Sequence, residues 1–385
     1  MKEKHTGRKI TIIEFIGGMR EGGAESLVTD YARLIDLDRF RVVIVSVNPL
    51  DERSPYVKIL RSENREIVSV YDHFPVCKTY VGQKIWNKMF HRRYVANKLL
   101  AYVEKYKADV VHVHLEILYY LSPISRKLKD VRILYTCHNH PERYFNKTGR
   151  RRELEAAIKL YKENDFRIIA LHQEMKQEID MLFKVDNTVV IHNGVDFGRF
   201  FDVKETKEET RKSLDIPEKS FVVGHVGRFA EAKNHSFIVK VFREVVWRRN
   251  DAFLLLVGTG PLLEETKLSL SAEGLEGKFK ILNFRSDIPR IMKAMDVFLF
   301  PSFFEGLPVT LVEAQVCGLR CVVSDRINTE SFFLPTLITL TLDEPATVWA
   351  DAVLDDTLTG PYNNDISVFD MNKEIKRLEK LYAEE

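Results

Sequence analysis

Among the 385 residues of this chain, the stretch from Asp296 to Asp325 constrains the fold most. Val297, Phe298, Leu299 and Phe300 form an unbroken apolar run. Such a run predicts a strand covered on both faces, as in a parallel sheet. Residues 302–307 read as a turn. Pro308 suits a helix start, because the N–H it lacks would have no partner in a first turn. The helix is expected to run to about Cys317, where Gly318 stops it. Cys321 to Val323 is expected as the next strand.

Two carboxylates bracket that helix start. Glu305 precedes it in the turn, and Glu313 lies beyond Pro308, about 7–8 Å along the axis of a helix. A helix N-terminus offers free N–H groups and partial positive charge, so an anion is favoured there. A diphosphate fits the spacing, with one hydroxyl-rich group near each Glu, since a carboxylate accepts two sugar hydroxyls at once. The bland alternative is a strand, turn and helix with two solvated acids. Glu313 argues against it. Its neighbours Leu311, Val312, Ala314, Val316 and Cys317 are apolar, and a charge on such a packed helix is costly unless something uses it.

Glu305 and Glu313, with Phe304, Gly306, Leu307 and Pro308 around the first acid, resemble the signature of the retaining GT-B glycosyltransferases of family 4. Residues 287–302 are similar to the branch that builds bacterial exopolysaccharide and capsule. The resemblance covers nearly the whole chain, and is weakest over residues 50–108. It implies an α/β GT-B fold, two Rossmann-like domains facing each other across a cleft. The expected N-terminal, acceptor-side domain is 1–198, with a C-terminal helix, 366–385, packing back on it. Residues 199–365 are the expected nucleotide-sugar-binding domain.

Composition fits a soluble globular protein, and the expected location is the cytoplasm. Hydrophobic residues make up 45% and charged residues 30%, ordinary for a globular protein with a large core. The net charge of +2 is unevenly placed: residues 1–200 carry 35 Lys/Arg against 26 Asp/Glu, and the rest 23 against 30. A basic front and an acidic back suggest different partners for the two halves. No apolar run is long enough to cross a membrane, and the start of the chain leads into a strand rather than a signal-peptide core. Cys77, Cys137, Cys317 and Cys321 offer no zinc spacing and read as small apolar residues in a reducing compartment.

In the front half, a strand from Ile10 to Phe15 runs into a glycine-rich turn containing Gly22 and Gly23, and a helix is expected from about Ser26. Such a turn lets backbone N–H groups approach a phosphate. A nicotinamide dinucleotide would want an acid at the end of the second strand, but Asn48 and Pro49 stand there. The resemblance instead gives Gly22 and Gly23 the capping of the donor phosphates. Lys84, Trp86, Lys88, Met89, Phe90, Arg92, Arg93 and Leu99 lie in a basic, aromatic-rich helix. A packed helix with a solvated basic face is preferred over one lying on an anionic membrane surface. The arginine-rich stretch 147–152 is a weaker candidate of the same kind.

His112 and His114 fall near the end of one expected strand, and His138 and His140 at the exit of the next. Ligands of open α/β sheets gather at the carboxyl ends of strands. A metal site is disfavoured, because the strand histidines do not share a helix face and no acid accompanies them. The resemblance puts His138 beside the reacting centre, with His140 as fallback. Asp36 and Asp38 mimic a metal-binding pair but precede a strand rather than follow one. No metal or other cofactor is expected.

In the back half, Arg228 ends a strand and Lys233 opens a helix; two cations so placed suit a diphosphate or an ordinary surface pair equally, and the resemblance decides for the diphosphate. By resemblance, the backbone around Arg285 and Ile288 holds the base. The donor-binding set the resemblance implies is Gly22, Gly23, Arg228, Lys233, Arg285, Ile288, Glu305, Gly306, Leu307 and Glu313. The catalytic set is Glu305, His138, Arg228 and Lys233. The expected activity is retaining, metal-independent transfer of a sugar, a hexose, from a nucleotide-diphosphate sugar, foremost a UDP-sugar. The expected acceptor is a glycan or a polyprenyl-diphosphate-linked glycan used for cell-surface polysaccharide. The basic front half would suit peripheral contact with the inner face of the cell membrane, and no nucleic acid is expected as a partner. A UDP-sugar epimerase on the same fold, and a non-catalytic partner subunit, remain as alternatives.

Overall fold

A computed structural model describes residues 8–20, 22–71, 90–145 and 151–383. The chain divides into two compact units, Met1–Asn193 with Asn372–Glu385, and Gly194–Met371.

The first unit is built on seven parallel strands: Ile10–Ile16 (β1), Phe40–Ser46 (β2), Glu66–Ser69 (β3), Val110–His114 (β4), Arg132–Thr136 (β5), Phe166–Ala170 (β6) and Val189–Val190 (β7). Their order is β3-β2-β1-β4-β5-β6-β7. The chain winds outward from β1 in one direction, then returns to build from β4 in the other. The reversal between β1 and β4 leaves a crevice at their carboxyl ends, where ligands of open α/β sheets bind. In register there, Glu14 of β1 faces His112 of β4, and His114 of β4 faces Thr136 of β5.

The second unit repeats the plan with six strands: Phe221–Val226 (β8), Ala252–Val257 (β9), Phe279–Leu282 (β10), Val297–Phe300 (β11), Arg320–Ser324 (β12) and Leu337–Leu340 (β13). The order β10-β9-β8-β11-β12-β13 reverses between β8 and β11. The apolar run of β11 is fully buried, as a central parallel strand demands. The core gathers Phe229, Phe242, Leu254, Leu256, Leu299 and Trp349.

Two glycines set how closely the loops after β8 and β9 approach. Gly258 and Gly260 have φ of +147° and +154°, and a Cβ on Gly260 would overlap the carbonyl of Phe229. Gly260→Ala is therefore expected to cost about 2 kcal/mol or more, from forbidden backbone and overlap together. Urea denaturation checks it; an unchanged midpoint would contradict the close approach.

Several local expectations shift. The first helix starts at Gly23 and not near Ser26, so Gly23 is its first residue and Gly22 its N-cap. Pro308 occupies the N-cap of the helix Val309–Val316 rather than its first turn. Gly318, at φ +72°, ends that helix. The division between units falls at Asn193/Gly194 and Met371/Asn372, rather than at 198/199 and 365/366. The reason is a parallel bridge between Val195 and Asp370, with Val195 N–H donating to Phe369 O at 2.7 Å. Residues 366–369 form a short 3-10 turn, and the last helix is Met371–Ala383.

That helix docks on the first unit through named bonds. Asp36 N–H donates to Glu379 (2.9 Å), His192 N–H to Glu374 (2.7 Å), and Arg132 to the carbonyl of Leu381 (2.8 Å). Asp36 and Asp38 close a turn ahead of β2, where Asp38 N–H donates to Asp36 Oδ1 at 3.0 Å. Of the basic helix, residues 84–89 lie outside the described residues, as do 147–150 of the second basic stretch. The described part, His91–Tyr106, buries Val95, Ala96, Leu99, Leu100 and Val103, so Leu99 faces the core and not a membrane. No helix among the described residues is long and apolar enough to cross a membrane.

Candidate functional site

In each unit a polar cluster lies at the strand-order reversal. In the second unit it forms on the loops that leave β8 and β11. Phe303 N–H donates to Ala232 O at 2.8 Å, and Asn234 Nδ2 donates to Pro301 O at 3.2 Å. These bonds clamp the two loops side by side. Asn234 adopts φ +54° and caps the helix His235–Arg248, which an asparagine tolerates better than most residues.

The clamp brings Lys233 against Glu305, 72 positions away, with Nζ 2.6 Å from Oε1. Both side chains are largely shielded, at 16% and 13% exposure. The ammonium also lies 4.8 Å from the centre of the Phe300 ring, where the negative ring face favours a cation. An ammonium has three protons, so Lys233 can hold Glu305 and still donate elsewhere. Arg228, two residues past β8, is exposed. Glu313 is half-buried on a helix that buries Leu311, Val312, Ala314 and Gln315. It sits at the edge of the packed face, which lowers the cost of its charge.

Arg285 is tied to Asp287 by two bonds, 2.7 and 2.6 Å. Its side chain is thereby turned to its own loop, leaving the backbone as the loop's offering. Ile288 starts the helix Ile288–Lys293. Gly306 and Leu307 are buried between Glu305 and the helix start.

Two histidines here escaped the reading of the sequence. His225 of β8 bonds Leu299 O through Nδ1 at 2.9 Å. His225 Nε2 and both nitrogens of His235 are buried with no hydrogen-bond partner among the described residues. Burial first, then the charge of Lys233, brings His235 down to about 4. Burial, then His235, holds His225 well below the usual range. Both are therefore neutral at pH 7, and the positive charge beside Glu305 is that of Lys233. Burial pushes the Cys317 thiol up to about 12, and Cys321 higher, so both hold their protons at pH 7.

In the first unit, Glu14, His112 and His114 are each 0% exposed. His114 Nε2 lies 2.7 Å from Glu14 Oε2, and His114 Nδ1 lies 3.0 Å from His138 Nε2. Tyr382, from the last helix, donates to Glu14 Oε1 at 2.7 Å and lies 2.7 Å from His112 Nδ1. His112 Nε2 lies 2.7 Å from the Thr136 hydroxyl. This overturns the expectation that no acid accompanies the strand histidines. The acid comes from the neighbouring strand, about a hundred residues earlier, and His112 and His114 share one face because they are two apart on a strand. Glu14, His112 and His114 lie close enough to bracket a cation. The same atoms also face one another and Tyr382, Thr136 and His138 at hydrogen-bond distance, which makes the cluster a continuous polar network. Burial alone would raise Glu14; the His112 and His114 imidazoles outweigh it and hold the carboxyl well below the usual range. His138 is half-buried at the outer end of the network. His140 stands outside it, exposed, 3.5 Å from Glu178.

Gly22 accepts a bond from Ser26 N–H at 3.1 Å, and a Cβ on Gly23 would meet nothing within 4 Å. Packing among the described residues therefore does not explain Gly23.

Residues 21–199 match the model described as Glycosyltransferase Family 4, and residues 206–334 the model described as Glycosyl transferases group 1. The chain is 28% identical over 352 residues to EpsF of Bacillus subtilis, whose name marks it a glycosyltransferase; the match spans 89% of this chain and 86% of that protein. It is 32% identical over 237 residues to the UDP-Gal:alpha-D-GlcNAc-diphosphoundecaprenol alpha-1,3-galactosyltransferase of Escherichia coli, across 58% of this chain and 59% of that one. Anabaena HepE, solved in complex with UDP and glucose, superposes with a TM-score of 0.75 at 19% identity, over 96% of this chain and 99% of the other. That likeness is one of fold, and the fold is GT-B. With both halves matched by paired models and the sheets laid out as in the solved GT-B structures, the chain belongs to the retaining glycosyltransferases of family 4.

Proposed function

We propose that this glycosyltransferase takes a sugar from a UDP-sugar and passes it to a lipid-linked glycan acceptor in cell-surface polysaccharide synthesis. The observation that carries the reading is the Lys233–Glu305 pair, shielded and clamped at the β8/β11 reversal, just ahead of a helix start. A built cation–carboxylate pair suits a ligand with both phosphates and sugar hydroxyls. Arg228 and Lys233 neutralise the diphosphate as charge builds on it. Glu305 orients the donor sugar through its hydroxyls, and Glu313 holds the ribose. Gly306 and Leu307 lie against the phosphates, and the backbone at Arg285 and Ile288 holds the base. In the first unit, Gly22 and Gly23 cap the donor phosphates, and His138 positions groups at the reacting centre. The anomeric configuration is retained by front-face attack, with the leaving phosphate oxygen taking the acceptor proton.

The Escherichia coli relative, which by name uses UDP-Gal and a diphosphoundecaprenol-linked GlcNAc, supports both the nucleotide and the acceptor class. A thermal-shift screen with UDP-, GDP- and ADP-sugars tests the donor. UDP-sugars at 100-fold over Kd are expected to stabilise the protein by about 2.7 kcal/mol; stabilisation by another nucleotide alone would reassign the donor. Because Arg228 and Lys233 meet the diphosphate charge, turnover is expected to be unchanged by EDTA. Loss of activity with EDTA and its return with manganese would overturn that assignment.

A further inference from the structure

We propose that Glu14 and His114 are positioning residues that fix the tautomer of His138, presenting its Nδ1 as a bare acceptor for a sugar hydroxyl. The inference rests on the reading that His138 stands at the reacting centre. It is carried by the direction of each hydrogen bond in the buried network of the first unit.

The protons can be assigned one by one. Tyr382 donates its hydroxyl proton to Glu14 Oε1, which makes Glu14 an acceptor. His114 Nε2, 2.7 Å from the other carboxylate oxygen, must then carry a proton. Burial, then His112, brings His114 down to about 4, so it is neutral at pH 7; a neutral imidazole has only one N–H, and His114 Nδ1 is bare. The atom facing it at 3.0 Å is His138 Nε2, and one of the two must donate. His138 Nε2 therefore carries the proton, and Nδ1 is left as the acceptor. The second arm follows the same logic. Tyr382 has spent its proton on Glu14, so it accepts from His112 Nδ1, and His112 Nε2 accepts from Thr136. Both arms point toward Glu14, and only one ends at a half-buried histidine.

This arrangement has a purpose that packing alone lacks. A histidine at a strand end could take either tautomer, and the two forms offer opposite hydrogen-bonding character at Nδ1. A buried carboxylate behind an imidazole selects one form, as an orienting acid does in hydrolytic triads. Glu14→Gln is nearly isosteric and removes the selection. Its amide can donate to His114 Nε2, which reverses the chain and puts a proton on His138 Nδ1.

The test has a spectroscopic and a kinetic arm. In protein labelled with 15N-histidine, long-range 15N–1H correlation is expected to show His138 and His114 as Nε2–H and His112 as Nδ1–H. Glu14→Gln is expected to move His138 to the Nδ1–H form and lower kcat about 10- to 100-fold, with KM for the nucleotide sugar within about twofold. Tyr382→Phe, which removes the hydroxyl between Glu14 and His112 but leaves the Glu14–His114–His138 contacts in place, is expected to lower the melting temperature and leave His138 as Nε2–H. A wild-type His138 in the Nδ1–H form overturns the proposal whether or not the variants fold. So does Glu14→Gln with unchanged kcat while His138→Ala is impaired. Full turnover in His138→Ala would instead remove the underlying reading of His138.

Discussion

Replacing Lys233 by alanine is expected to lower kcat by about 10²–10³-fold, the usual cost of removing a group aimed at developing negative charge. The protein should stay folded. Lys233 lies in a short 3-10 turn that buries none of its residues, and neither the Phe303 N–H bond to Ala232 O nor the Asn234 side-chain bond to Pro301 O uses the Lys233 side chain. The variant does strand Glu305, which is 13% exposed and loses its 2.6 Å partner. Leaving one member of a shielded charge pair uncompensated is the destabilising half of such a substitution. The double variant Lys233→Ala/Glu305→Ala separates the two effects. If the pair serves only the fold, removing both partners should restore stability and activity together. If it serves the donor, stability returns while activity stays at or below that of either single variant, because contacting residues are coupled. Glu305→Ala alone is expected to lose one to two orders of magnitude, since each charge-assisted bond is worth roughly 1.5–3 kcal/mol. Steady-state kinetics with thermal melts of all three decide the matter. A Lys233→Ala enzyme within a few-fold of the parent would remove the diphosphate from this corner of the fold.

The sheets were legible because their strands announce themselves one at a time. Val297–Phe300 is a continuous apolar run, and it is a strand over those same residues. The alternation of such runs with helical stretches leaves few topologies. Lys233 and Glu305 were each visible as candidates, but their 2.6 Å contact was not, since nothing local states which loop lies beside which. The Glu14 network was the most hidden. Its acid, histidines, threonine and tyrosine come from β1, β4, β5 and the last helix. Only the β1–β4 register, with Glu14 opposite His112, turns an unremarked acid in an apolar strand into the partner of two histidines. A glutamate amid Ile12, Ile13, Phe15 and Ile16 was the available signal, because a charge on a strand buried on both faces has to be paired. Where the sequence misplaced the boundary near Val195, a local rule gave way to a bridge made across the fold, to Asp370.

Asp296→Ala is expected to cost about 3–5 kcal/mol of stability, the penalty for leaving a buried charge unpaired. Arg211 is the charge in question. Its side chain is 6% exposed, and its Nη2 lies 2.6 Å from Asp296. The other carboxylate contacts are Lys207 at 2.8 Å and the Val222 N–H at 2.7 Å. Lys207 is 41% exposed and adds little through solvent. The loss reaches function through register. Asp296 precedes β11, and its own N–H donates to Val222 O at 2.9 Å, so the side chain and main chain together pin β11 against β8. With that anchor gone, β11 is held against β8 by fewer bonds, which loosens the seat of the loop carrying Glu305 against the loop carrying Lys233. The same pairing predicts a pH dependence. Burial pushes the Asp296 carboxyl up, but Lys207, the Val222 N–H and Arg211 outweigh it and hold it below its ordinary value. A carboxyl depressed in the folded state binds its proton more readily when unfolded, so its contribution is complete above about pH 4, the unfolded value. It declines as pH falls through that value toward the folded one. Asp296→Asn keeps an acceptor for Val222 and Arg211 without the charge. The stability gap between wild type and Asp296→Asn, followed by urea denaturation, should therefore be widest near neutrality and close as pH drops below about 4. A gap that persists unchanged into acid would mean that the carboxylate charge is not what holds β11 in place.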